Sequence, residues 1–112
     1  MTDDEIRVDL LKFPGVEEAP SYGAPGFRVG KKLLARIHPT EPALLLRVAD
    51  IGEQEALIAL DSKTFYITDH YRGHRFLLAR RLKKNRARIL EVFEAAWRNA
   101  ASKKHLLNHD ER

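Results

Sequence analysis

A chain of 112 residues with 44% hydrophobic and 32% charged residues is long enough for one folded core and too short for two. Its longest apolar run, Ala56 to Leu60, falls far short of the roughly 20 residues of a membrane span, and the opening Met1-Thr2-Asp3-Asp4-Glu5 is acidic where a secretory leader is basic and then apolar. With a net charge of +4 and no cysteine, the composition excludes disulfides, thiolate catalysis and cysteine-based metal sites, and a cytoplasmic protein is expected.

Thr2 and Glu5 match a capping box, in which each side chain satisfies a backbone donor at a helix start. Asp3 and Asp4 then fall where the helix dipole favours negative charge. Ile6, Leu10 and Phe13 follow at helical spacing, and Pro14-Gly15 stops the helix. Val16 to Pro25, interrupted by Pro20, Gly23 and Pro25, reads as a loop.

Three strands are expected next. Phe27 and Val29 alternate with Arg28; Leu33, Ala35 and Ile37 with Leu34 and Arg36; Leu44, Leu46 and Val48 with Leu45 and Arg47. Keeping Phe27, Val29, Leu33 and Ala35 on one face requires an odd loop, Gly30-Lys31-Lys32, because a two-residue turn flips the parity. Asp50 caps a short helix, with Glu53 three residues on and Ala56, Leu57 and Leu60 as its stripe. Strands at Thr64–Thr68 and Arg75–Leu82 flank the turn Asp69-His70-Tyr71-Arg72-Gly73. A final helix from about Asn85 to Ala101 turns Ile89, Phe93, Ala96, Trp97 and Ala100 inward and pairs Glu94 with Arg98. The sum is an α+β domain at 1–104, a two-layer α-β3-α-β2-α arrangement with an antiparallel sheet, followed by a polar tail at 105–112.

Several stretches carry a likeness: Phe13-Pro14-Gly15-Val16-Glu17-Glu18, Ser21 through Val29, Phe65 through Gly73, and Ala95 through Lys104. Over about residues 6–104 the chain resembles the MmcQ/YjbR-like family. That resemblance implies a small antiparallel sheet with flanking helices, similar to the type III secretion chaperones and described as CyaY-like, together with a DNA-binding role.

The charge is placed asymmetrically. Residues 1–71 carry 8 Lys and Arg against 12 Asp and Glu, whereas residues 72–104 carry 11 against 2. Arg80, Arg81, Lys83, Lys84, Arg86 and Arg88 lie across the end of the last strand and the start of the last helix. Cations there oppose the helix dipole, a broken local rule that a bound phosphate would reconcile. Arg72, His74 and Arg75 extend the surface, with Lys103 and Lys104 at its far end. No helix-turn-helix, zinc-finger or RNA-recognition signature accompanies them, so the expected partner is DNA or another polyanion, held through its backbone. Five phosphate contacts to duplex DNA predict a slope of log K against log salt near −4.5. Tyr22, Tyr66 and Tyr71 are candidates to stack on bases, against the plainer reading of edge packing.

A second constellation, Asp69-His70-Tyr71-Arg72, collects a carboxylate, an imidazole, a phenol and a guanidinium in one turn. Adjacent turn residues need not converge, so Tyr22, Asp69, His70 and Tyr71 are kept as a pocket candidate, with Glu17 and Glu18 placed to close over it. His70 and His74, and His105 and His109, share a four-residue spacing without a third ligand at a motif position, and no G-K-[ST] loop or G-x-S-x-G elbow occurs. No metal, no cofactor and no enzymatic activity are therefore expected. The alternative is a protein-interaction or chaperone-like module, such as a homodimer, because Leu34, Leu45 and Leu77 fall opposite the chosen core face and are candidates for exposure.

Overall fold

The computed structural model describes residues 1–101 and 105–106. Lys103, Lys104 and His109, and with them the expected domain end at 104, lie outside the described residues. Among the described residues, the chain forms an α+β fold in which three helices accompany a six-stranded antiparallel sheet of order β1-β2-β3-β4-β6-β5.

Helix α1 (Asp3–Leu10) begins with both arms of the capping box: the Thr2 hydroxyl accepts from the Glu5 N–H at 3.1 Å, and the Glu5 carboxylate accepts from the Thr2 N–H at 3.0 Å. The helix stops at Leu10, and Phe13 instead sets its ring against Phe93 and Trp97, with centroids 5.2 and 5.5 Å away.

The expected loop at 16–25 is a correction. It is strand β1 (Val16–Ser21), a tight turn and the start of strand β2 (Ala24–Val29), which makes the arrangement α-β4-α-β2-α. Pro20 and Pro25 mislead as breakers because they face each other across the ladder. Alternate antiparallel pairs exchange no hydrogen bonds, so an edge strand admits proline there.

The parity of strand β3 (Lys32–Ile37) is also a correction. The turn has two residues, Gly30 and Lys31, with Val29 opposite Lys32, and a bulge then restores the register so that Phe27 faces Ala35. The bulge sends Leu34 into the core and Leu33 to the opposite face. Strand β4 (Ala43–Arg47) pairs with β3 and with β6 (Phe76–Arg80), and β5 is only Phe65–Tyr66.

Helices α1 and α3 (Arg86–Ala100) cover one sheet face, where Ile6, Leu10, Phe27, Leu34, Leu44, Leu46, Leu77, Phe93 and Trp97 form the main core. Trp97 is fully buried and its indole N–H donates to the Pro14 carbonyl at 2.8 Å. Leu106 also packs against this core. Leu34, Leu45 and Leu77 are all buried, which removes the motive for an apolar surface; Leu45 belongs to a second cluster on the other sheet face, with Ala43, Tyr71 and Leu78.

Helix α2 (Ile51–Leu60) keeps its Asp50 cap, which accepts from the Glu53 N–H at 2.8 Å. Its inner stripe differs from expectation: Leu57 and Ile58 pack against the core, Ala56 and Leu60 face solvent, and the buried residue is Gln54. The two N–H groups of the Gln54 amide donate to the carbonyls of His74 at 2.9 Å and Phe76 at 2.7 Å, with the Tyr71 carbonyl at 3.3 Å sharing one of them. A polar side chain is buried here because a turn without sheet partners presents backbone acceptors that need donors. Gln54→Leu, which keeps the volume and removes the donors, is expected to lower stability by about 2–3 kcal/mol, read as a shift in the urea midpoint at unchanged m value.

Candidate functional site

On the sheet face away from α1 and α3, the segment 69–75 crosses over β4 and β6 and drops Tyr71 onto Leu45 and Leu78. The Tyr71 hydroxyl accepts from the Arg36 guanidinium at 3.0 Å, and the His70 ring meets Tyr71 edge-on at 4.8 Å. From the far side comes Tyr22, at the tip of the β1–β2 hairpin. Tyr22 and Gly23 both have positive φ, +50° and +80°, the signature of a type I′ turn whose favoured residues are Asn and Gly. Tyr22 is 94% exposed, with its ring centroid 5.7 Å from the Arg36 guanidinium carbon. These groups, with Leu33, Leu45, His74 and Phe76, bound a cavity of about 560 Å³.

The pocket candidate is therefore realised in part. Tyr22, His70 and Tyr71 come together, whereas Asp69 turns outward, its side chain 95% exposed and paired with Arg72 at 3.0 Å. Glu17 and Glu18 do not close over the cavity: Glu17 stands across the ladder from Arg28, and Glu18 binds Arg7 on the helix side at 2.8 Å. Arg36, Leu33, Leu45 and Phe76 were missed as pocket residues, and His74, expected on the basic surface, lines the cavity. A signal for Arg36 was present, since Arg28, Arg36 and Arg47 interrupt three successive apolar strands, each in an alternate position.

The basic segment is dispersed. Arg81 reaches Asp3 and the Met1 carbonyl, Arg86 grips Asp9 through two bonds of 2.7 and 2.8 Å, Arg88 lies 3.7 Å from Asp61, and Arg72 pairs with Asp69. The Arg86 guanidinium is held above its ordinary pKa by the Asp9 bonds, the largest cause. Lys83 and Lys84 are exposed on the turn before α3 and make no ion pair among the described residues, with Glu5 in the field of Lys83. Arg75 is exposed near Arg47, and burial followed by Arg75 lowers the Arg47 pKa.

The face itself carries a different basic group. Arg36 on β3, Arg47 on β4 and Arg80 on β6 make no ion pair with a carboxylate among the described residues. Arg47 donates to the Leu33 carbonyl at 2.6 Å and lies 4.9 Å from the centre of the Phe76 ring. Arg80 donates to the Ser62 and Lys63 carbonyls and lies 4.3 Å from the centre of the Tyr66 ring, the Tyr66 hydroxyl itself donating to Glu41 at 3.2 Å. Lys32, Arg47 and Arg75 line a smaller recess of about 220 Å³ at the end of the same sheet.

A family model described as YjbR matches residues 11–99. The chain belongs to the YjbR family. No curated protein and no solved structure matches it. The YjbR match spans every strand and both walls of the cavity, from the Tyr22 hairpin to the 69–75 turn. Among the described residues, no helix is long and apolar enough to cross a membrane.

Two outcomes follow from this geometry. His38 Nδ1 accepts from the backbone N–H groups of Thr40 at 3.2 Å and Glu41 at 2.9 Å, so it must be unprotonated, and burial followed by Arg36 lowers its pKa below the ordinary 6.5. The folded state thus favours the neutral ring; the stability this contributes is present above about pH 6.5 and is lost as the pH falls through the folded pKa. His38→Asn, whose carbonyl oxygen can replace Nδ1, is expected to reduce that slope in urea titrations between pH 7 and 5. Tyr22→Asn, which suits positive φ, is expected to raise stability by about 1 kcal/mol, measured as an increased thermal midpoint.

Proposed function

We propose that this YjbR-family protein is a non-enzymatic binding protein whose open sheet face takes single-stranded nucleic acid, largely through the phosphate backbone. One observation carries the reading: Arg36, Arg47 and Arg80, on three neighbouring strands, each sit beside an aromatic ring and lack a carboxylate partner among the described residues. Single strands are held by positive surfaces that track phosphates and by aromatic rings that accept the flat faces of bases. The exposed ring of Tyr22 and the half-buried rings of Tyr66 and Phe76 supply the second element. A sheet face of this kind does not enter a duplex groove, so base-specific readout is not part of the proposal.

The reading agrees with the DNA-binding role implied by the family resemblance but moves the interface. Arg75 and Arg80 remain in it; Arg72, Arg81, Arg86 and Arg88 are engaged by acidic partners, and Lys83 and Lys84 become peripheral. The alternative, a homodimer or other protein-interaction module, has less support. Edge strand β1 presents Glu17, Glu18 and Pro20, residues that discourage strand addition, and edge strand β5 has two residues.

Fluorescence anisotropy with a labelled single strand and the matching duplex, at about 50 and 200 mM salt, tests the proposal. Four contacts, from Arg36, Arg47, Arg75 and Arg80, predict a single-strand slope near −2.8, and Arg75→Ala should reduce it by about 0.7. The double variant Lys83→Ala, Lys84→Ala should leave the slope unchanged. Duplex preference with dependence on Lys83 and Lys84 would return the interface to the start of α3, and no binding at the lower salt would overturn the nucleic-acid reading.

A further inference from the structure

The cavity beneath Tyr22 combines features that a surface for a polymer backbone does not require. Its floor is apolar, formed by Leu33, Leu45 and Phe76, and none of its lining residues is acidic. Its volume of about 560 Å³ is in the range of small-molecule sites. Its one permanent charge is Arg36, and that guanidinium is under-satisfied. A guanidinium has five donors. Here one nitrogen donates to the Tyr71 hydroxyl, and Nε is buried with no partner. Nε is closed off from the cavity, but an anion there would take up the Nη donors that the Tyr71 hydroxyl leaves unused.

The rim adds a second observation. Tyr22 occupies a left-handed backbone position that Asn or Gly would fill with less strain, and its ring is almost wholly exposed rather than packed into a core. Backbone strain retained for an exposed aromatic is a mark of a ligand-facing residue. The opposite wall, the 69–75 turn, is fixed by Gln54 through the Tyr71 and His74 carbonyls, so the cavity is preformed between elements distant in sequence.

We infer that this cavity binds a small molecule with a flat apolar body and one anionic group. The anion meets Arg36, and the flat body lies between Tyr22 and the floor of Leu33, Leu45 and Phe76. The site goes beyond the strand-binding reading and does not depend on it, although the two share Arg36.

Calorimetric titration of the full chain with benzoate, phenyl phosphate, acetate and inorganic phosphate, followed by amide NMR, tests the inference without any nucleic acid. Benzoate or phenyl phosphate should bind saturably and shift the resonances of His70, Tyr71 and His74, with the tighter of the two identifying the anionic group. The bare anions should bind at least about tenfold more weakly, the loss of the ring's burial. Arg36→Gln should lower affinity by about tenfold or more, and Tyr22→Asn, in a turn that tolerates it, should lower it without loss of folding. Bare anions binding as tightly as the aromatic ones, or shifts confined to the Lys83–Lys84 turn, would overturn the site. Retained single-strand binding with no response to any of the four probes would overturn it while leaving the strand reading in place.

Discussion

The open sheet face depends on the side chain of Gln54. Its amide donates to the Tyr71 and His74 carbonyls of the 69–75 segment, which crosses the sheet, and to the carbonyl of Phe76 at the start of β6. Before Arg75, whose carbonyl accepts from the Val48 N–H at 3.0 Å, the segment's carbonyls must find donors within the turn, from side chains or in water. By supplying them from α2, Gln54 allows Tyr71 to reach Leu45 and Leu78, and Tyr71 in turn gives Arg36 its acceptor. One buried amide thereby couples the helix, the turn, the second apolar cluster and the guanidinium of the cavity.

Charge is sorted by the fold into two populations. Apart from Arg75, the arginines on helices and in turns meet carboxylates: Arg7 with Asp4 and Glu18, Arg72 with Asp69, Arg81 with Asp3, Arg86 with Asp9, Arg88 with Asp61, Arg98 with Glu94. Much of the acidic half of the chain is thus laid against the basic half, and α1 supplies Asp3 and Asp9 to the residues that form the densest basic run. The exposed pairs, such as Arg7–Asp4 and Arg98–Glu94, add little stability, but all of them withdraw cations from a prospective anion surface. Arginines on the open sheet face meet aromatic rings and carbonyls instead, which leaves their charge uncompensated.

The elements most legible in the sequence are those specified by local chemistry. The capping box of α1, the Asp50 cap of α2, the Glu94–Arg98 pair and the buried stripe of α3 all act over four or fewer residues. Strand β1 was hidden because Pro20 and Pro25 are breakers in isolation and harmless only as an opposed pair. The face of Leu33 and Leu34 was hidden because a bulge exchanges their parity, a choice made by the pairing of β2 with β3. Of the pocket candidates, Tyr22, His70 and Tyr71 line one cavity and Asp69 turns outward, since side chains next to one another in a turn diverge.

By itself the sequence determined the α+β class, the three helices with the caps of α1 and α2, and the buried stripe of α3, because these follow from periodicity and from short-range hydrogen bonding. Only the tertiary structure decided which arginines are neutralised, which leucines are buried on the second face, and that Tyr22 and the 69–75 turn enclose one cavity over Arg36. Those outcomes depend on contacts between residues up to about eighty positions apart, as between Asp9 and Arg86, whose energies no local pattern encodes.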